Sequence, residues 1–356
     1  MRKSISLILS VLILTSSVSY GFETDQYNLP PVPLADIGDE VSEHSLEALR
    51  EVVAKVNAEI DIRLTCVEGK QLETKLCGRR DVDKKRLAYL MTDDAIALGL
   101  YKSLGDGSFP FTKVGKWMNT HDFRSQPARF KTSYPKSIFV LLPTNYLTIS
   151  PTINMYGSQF GVDKIEHFFQ QGYTYYKIYE EAVIGGAKPD IAVRKAIRWG
   201  KVSERTFFGS LVSGVFSNAD LYANYAGMKF YQRLFTAVKV GNATLAPVLQ
   251  TIDGRWLINE SSELASTFIR PYITDHLNEA LNPSIFSFNL RFSIRRIVKK
   301  RACPQWIRTF PNLTKADSEA KTASLRLWEG EEYGFTASRK FITIANTCVL
   351  DKPPNP

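Results

Sequence analysis

Asp163-Lys164-Ile165-Glu166-His167-Phe168-Phe169 and, further on, Ser217-Asn218-Ala219-Asp220-Leu221-Tyr222-Ala223-Asn224-Tyr225-Ala226-Gly227 set two polar constellations into apolar sequence. Their surroundings carry the fold, because the block reads as helices over about Asp163–Ile184, Pro189–Arg198, Glu204–Phe216 and Asn218–Val238. Pro189 suits a first helical turn, and Gly185-Gly186 suits a stop. Residues four apart share a helical face, which puts Asp163 with His167 and Asp220 with Asn224, with Gly227 a turn beyond. The two motifs are expected to converge.

Outward from that block, Ser45–Leu64 has apolar residues at helical spacing, and Asp83–Leu104 reads as a second helix before Gly105-Asp106-Gly107. Ser108–Lys136 has no clear assignment, and Ser137–Leu142 reads as a short strand or buried turn. Asp253-Gly254 marks a hairpin between Val248–Ile252 and Arg255–Ile258. Ser262–Ala280 reads as a helix bent by Pro271. Phe286, Phe288, Leu290, Phe292 and Ile294 alternate with polar residues, which predicts a strand, and Phe341–Leu350 predicts another. The expected class is mainly α (α+β): a central helical bundle with a small disulfide-tied β element near the C-terminus. The expected layout is a leader over 1–21, an extended arm over 22–44 set by Pro30, Pro31 and Pro33, and a helical domain over 45–282. A β-containing region over 283–350 and a disordered tail over 351–356 complete it.

Arg2 and Lys3 before the apolar run Ile5–Leu14 and small residues predict a secretory signal peptide, cleaved after Ser19 or Gly21. No cysteine near the cleavage site suggests a lipid anchor. More than 330 of the 356 residues would remain, with 44% hydrophobic and 12% aromatic content overall, enough for a packed core. In an exported chain the four cysteines predict two disulfides, Cys66–Cys77 and Cys303–Cys348, with the other pairings open. The formal charge of +9 falls to +7 when Arg2 and Lys3 leave, and suits an anionic envelope component or cell-wall polymer, with peripheral membrane contact. Nucleic acid is not expected in that compartment. The protein is placed in the periplasm or outside the cell.

For chemistry, Asp163 would fix the tautomer of His167, leaving its other nitrogen as acid, base or ligand. Ser217 with Asp220 also reads as a helix cap, and Asn224 would be a buried amide demanding partners. Glu166, Glu180, Glu181 and Glu204 are candidates for proton chemistry, Glu166 because Phe168 and Phe169 offer an apolar setting. Tyr175 and Tyr176, in a run with Tyr173 and Tyr179, could stack sugars. The run Arg291, Arg295, Arg296, Lys299, Lys300 and Arg301 is a solvated edge or a polyanion patch. No nucleophile-elbow, zincin, P-loop or dinucleotide motif occurs. No CxxC spacing occurs and histidines are few, so neither metal nor cofactor is expected.

The pattern DKxxHF followed by SxxDLxxNxxG, here Asp163, Lys164, His167 and Phe168, then Ser217, Asp220, Leu221, Asn224 and Gly227, resembles that of VanZ-like and related small bacterial envelope proteins. It covers the central quarter of the chain. The resemblance implies polar residues converging between helices in an envelope-facing protein, although those relatives are mostly membrane-embedded or lipid-anchored. The expected function is an exported envelope hydrolase, a lysozyme-like glycosidase on peptidoglycan with Glu181 or Glu166 ahead of Glu204 as proton donor. The alternatives are a non-catalytic VanZ-like factor binding lipid or wall polymer, or a lipid or phosphoester hydrolase using Asp163, His167 and Asp220.

Overall fold

A computed structural model describes residues 23–69, 76–107, 112–140, 149–206, 209–210, 214–261 and 264–350. The expected leader and C-terminal tail lie outside them. In chain order the helices are α1 (Gly38–Glu68), α2 (Arg80–Leu90), α3 (Asp93–Leu100), α4 (Lys113–Thr120), α5 (Val162–Ile184), α6 (Pro189–Arg205) and α7 (Asn218–Arg233). After them come α8 (Leu264–Thr267), α9 (Phe288–Ile297), α10 (Cys303–Thr309), α11 (Lys315–Ser324) and α12 (Ile344–Thr347). The class is mainly α.

The crossing of α5 and α7 sets the geometry. Pro189 begins α6, Gly186 (φ +87°) follows the end of α5, and Ser217 caps α7 by accepting a hydrogen bond from the Asp220 amide. Where α5 and α7 touch, Gly172 meets Gly227: a Cβ on Gly172 would stand 2.6 Å from Gly227 Cα, and one on Gly227 would strike the Phe168 carbonyl. The motif's terminal glycine therefore permits backbone contact. Phe168, Phe169, Phe230, Tyr231 and Tyr272 pack edge-on and tilted beside the crossing, and α1 and α3 supply Leu46, Leu49, Val52, Ile96 and Leu100 to the same core.

Strand structure among the described residues amounts to five two-stranded ribbons. β1 (Glu23–Thr24) runs parallel to β2 (Ile149–Ser150), and β3 (Thr152–Met155) pairs antiparallel with β4 (Ser158–Gly161), which leads directly into α5. β5 (Val215–Phe216) pairs with β10 (Ile285–Phe286), and β6 (Val238–Val240) with β7 (Ala243–Leu245). The anticipated hairpin is β8 (Leu249–Ile252) with β9 (Arg255–Ile258), and Asp253 and Gly254 both take positive φ, +50° and +74°, as a tight mirror-image turn requires.

Several expectations are corrected. The arm over 22–44 neither hugs the surface nor stays extended. Glu23 to Tyr27 are buried, and α1 begins at Gly38, ahead of Ser45. The single helix over 83–104 is α2 and α3, broken at Met91-Thr92, with Asp93 and Asp94 opening the new first turn. Ser262–Ala280 keeps one turn, α8, and then two 3-10 turns, the first carrying Pro271. The block read as a helix over Glu204–Phe216 ends at Arg205 and re-forms as β5.

The predicted strand at 286–294 is α9. Leu290, Ile294 and Val298 face the core while Phe288 and Phe292 face outward. Positions four apart satisfy both a two-residue and a 3.6-residue period, so the alternation did not discriminate. The predicted strand at 341–350 contains α12 instead, started by a Thr343/Asn346 capping box. The C-terminal disulfide consequently ties helical segments. Both bridges form as anticipated, Cys66–Cys77 with Cα atoms 5.4 Å apart and Cys303–Cys348 at 5.2 Å. A smaller core of Tyr27, Ile138, Phe139, Leu290, Ile294 and Trp306 surrounds the second. No helix among the described residues is long and apolar enough to cross a membrane.

Candidate functional site

Lys164 is fully buried in the first turn of α5. A lysine there must meet acids, since an unpaired ammonium in the core is prohibitively costly. Its Nζ donates to Asp163 Oδ2 at 2.6 Å, to Glu279 Oε1 at 2.6 Å, and to Asp220 Oδ1. Burial opposes the charge, but Asp163, Asp220 and Glu279 hold the ammonium pKa well above its usual value. Glu279, from the segment after the second 3-10 turn, is pushed up to about 7 by burial despite Lys164. Thr24 Oγ1 donates to Asp163 Oδ1 at 2.5 Å, and the Asp163 amide donates to Ser150 Oγ at 3.2 Å. Gly161 leaves room for this approach, because a Cβ would strike both Asp163 Oδ1 and Thr24 Oγ1. Ser217 Oγ, besides capping α7, donates to Glu279 Oε1 at 3.0 Å.

The second half of the centre lies on the other side of Asp220. His167 Nδ1 meets Asn224 Oδ1 at 3.1 Å, and His167 Nε2 faces Asp220 Oδ2 at 3.5 Å. With the Asn224 carbonyl oxygen accepting, Nδ1 is the donor of that bond and Nε2 is turned toward Asp220. Glu204, from the last turn of α6, completes this half. It is 1% exposed, and neither carboxylate oxygen makes a well-formed hydrogen bond among the described residues. Burial and then Asp220 push its pKa well up, with Lys164 and the Ser217 amide easing it. Asp220 shifts the opposite way: burial would raise it, but His167 and Lys164 outweigh that and hold it below the usual range. Two sets of three ligand-type atoms lie within 4.8 Å of one another, His167/Glu204/Asp220 and Asp163/Asp220/Glu279. The Lys164 ammonium already joins the second set.

The motifs thus meet, and Asn224 finds His167 as a partner, but Asp163 does not orient His167 as anticipated. Asp163 bonds Thr24 and Lys164, and Asp220 with Asn224 addresses His167 instead. Glu166 points to another side of α5, where Thr112 donates to its Oε2 from the amide (3.2 Å) and from Oγ1 (2.6 Å) at the start of α4. Burial pushes Glu166 up to about 8, against those two bonds. It is buried, with Gly115 against its carboxylate. Glu181 is exposed near the end of α5, fourteen residues past His167, or about 21 Å along a helix. Glu180 is half-buried and lines a different cleft with Asp93, Tyr176, Tyr179 and Lys229, raised chiefly by burial. Tyr175 packs edge-on against Trp199, and Tyr176 stacks on Tyr231 at 5.9 Å. These are core contacts, not an open sugar platform. No local sequence pattern marks Glu279, Thr24 or Ser150 as members of the centre. Lys164 was visible in the motif but reads as a solvated residue.

A different feature stands at the surface. Phe288 and Phe292 on α9 are 70% and 63% exposed, 5.5 Å apart, with the Arg291 guanidinium over both rings. At about 100° per residue, Arg291, Arg295, Arg296 and Lys299 lie on or beside their face, while Lys300 flanks it and Arg301 turns away toward the Pro135 carbonyl. No acid occurs from Ile285 to Ala302. Arg295 donates to the Phe341 carbonyl and Arg301 to the Pro135 carbonyl, and among the described residues neither is paired with an acid.

No family model, no curated protein and no solved structure matches this chain.

Proposed function

We propose that this chain is an exported, peripheral envelope protein that docks on anionic phospholipid through the exposed face of α9. The observation that carries this reading is the pairing of Phe288 and Phe292, both open to solvent, with a run of six cations and no acid. Apolar rings beside basic side chains are what an interfacial helix offers a headgroup layer. Burying each ring adds about 1.5–3 kcal/mol, and each cation near an anionic surface adds about 1 kcal/mol. The two disulfides suit an oxidising compartment, and the resemblance to envelope-facing VanZ-like proteins points the same way. A lysozyme-like glycosidase would need its acid open to a polymer. Glu166 and Glu204 face inward, and Glu181 lacks the apolar enclosure that a proton donor requires.

The test is co-sedimentation of the mature protein with vesicles of phosphatidylglycerol and of phosphatidylcholine. Binding to the former, weakened by salt and cut at least tenfold in F288A/F292A, is the expected result. Equal binding to both vesicle types, or none to either, refutes the reading. In the same preparation, release of soluble muropeptides from sacculi would restore the hydrolase.

A further inference from the structure

We propose that His167, Glu204 and Asp220 bind one divalent transition-metal ion of the zinc or manganese class. The proposal stands apart from lipid docking, and it revises the expectation that the chain uses no metal. Two features of the half-centre point to a missing cation. Glu204 is buried beside the other two donors, and among the described residues neither of its carboxylate oxygens makes a well-formed hydrogen bond beyond the approach of the Ser217 amide. Such a group normally finds a hydrogen bond, a counter-charge or a metal.

The histidine supplies the second feature. Asn224 accepts from Nδ1, which turns Nε2 toward the Asp220 carboxylate. Metal-bound histidines are usually oriented by this kind of outer hydrogen bond on the other ring nitrogen. Without a proton or an ion between them, Nε2 and Oδ2 would present lone pairs to each other. Their separation of 3.5 Å is long for a charge-assisted hydrogen bond, which runs about 2.7–2.9 Å. It matches two donors on one tetrahedral ion, which with bonds of about 2.1 Å stand about 3.4 Å apart.

The neighbouring acids explain why the ion belongs here. Lys164 places one positive charge among Asp163, Asp220 and Glu279, with Glu23 also acting on it. That ammonium fills the three-carboxylate set as a cation would, and it takes Asp220 Oδ1. Oδ2 is left for the histidine side, where Glu204 stands with no positive side chain bonded to it. One imidazole and two carboxylates suit zinc, manganese or iron(II) better than calcium or magnesium, which prefer oxygen alone.

The test uses mature protein treated with a chelator and dialysed. Metal content after reloading with ZnCl2 or MnCl2 should reach one ion per chain. The thermal midpoint should rise with free metal, as binding to the native state alone requires. Glu204→Gln should lower affinity at least tenfold, and Asn224→Ala about 10–100-fold. Wild-type protein that neither retains nor is stabilised by either metal overturns the site, as does unchanged binding in E204Q and H167Q. Should those variants not fold, pulsed EPR of manganese-loaded wild type decides. An imidazole nitrogen coupled to the ion supports the proposal, and its absence refutes it.

Discussion

Replacing Lys164 with Met removes the cation around which Asp163, Asp220 and Glu279 are arranged. Met keeps most of the side-chain volume, so packing changes little. The perturbation is electrostatic. Breaking one buried pair by removing a partner costs about 3–5 kcal/mol, because a buried charge is left uncompensated. Here three carboxylates lose a common donor, which places the expected loss at the upper end, about 5 kcal/mol. For a domain of ordinary stability, about 5–15 kcal/mol in all, that is a large fraction. Urea unfolding followed by tryptophan fluorescence measures it, as a drop in midpoint at constant slope. Adding Glu279→Gln to the variant should recover part of the loss, since one stranded charge goes with it; the double change then costs less than the two single costs summed. A loss below about 1 kcal/mol for K164M would refute the claim that this ammonium holds the centre together.

Three further outcomes are expected. Gly227→Ala should cost about 1–3 kcal/mol by overpacking, despite alanine's better helix propensity, because its Cβ strikes the Phe168 carbonyl; thermal denaturation shows the sign. Removing Cys303–Cys348 should destabilise more than removing Cys66–Cys77, by about 1 kcal/mol on loop-closure grounds, since the bridges span 45 and 11 residues. His276 is held below its ordinary pKa by burial, with the Leu327 carbonyl and Asp275 opposing and Lys321 assisting. The unfolded chain therefore binds this proton more readily. The contribution to stability is full above about pH 6.5 and is lost as pH falls toward the depressed native value. His276→Gln should flatten that part of the urea-midpoint profile.

Local rules carried much of this fold. The helices of the central block follow apolar spacing with Pro189, Gly186 and Ser217 as punctuation, and Asp253-Gly254 forms the expected turn. Where a signal fits two periods, tertiary context chooses. Residues 286–294 satisfied a strand and a helix equally, and the pocket for Leu290, Ile294 and Val298 selected the helix. The candidate centre was legible in half. Motif residues four apart on α5 and α7 announced a meeting of helices, which Gly172 and Gly227 confirm. The pairing was not legible, because Lys164 reads as a surface residue and Glu279 lies 115 positions away. Its carboxylate arrives through a segment with no periodicity.

A buried polar network is costly unless every member is satisfied, and the two halves of this one differ in that respect. Lys164, Asp163, Glu279, Ser217 and Thr24 form a closed set whose bonds join α5, α7, the N-terminal strand and the segment before β10. That set has a sufficient structural reason to exist: sliding any of these elements would strand a buried charge, so the network fixes their register. Glu204 has no comparable set of bonds among the described residues. A leucine at 204 is close to glutamate in volume and would bury no carboxylate there. A protein selected for stability alone would gain by that exchange. If Glu204 binds no ion, Glu204→Leu should raise the urea midpoint in metal-free buffer and in metal-loaded buffer alike. If the triad holds an ion, the same variant should be more stable than wild type without metal and less stable with it. That crossing of the two stability orders separates a functional residue from a packing one, and parallel orders would assign Glu204 to packing.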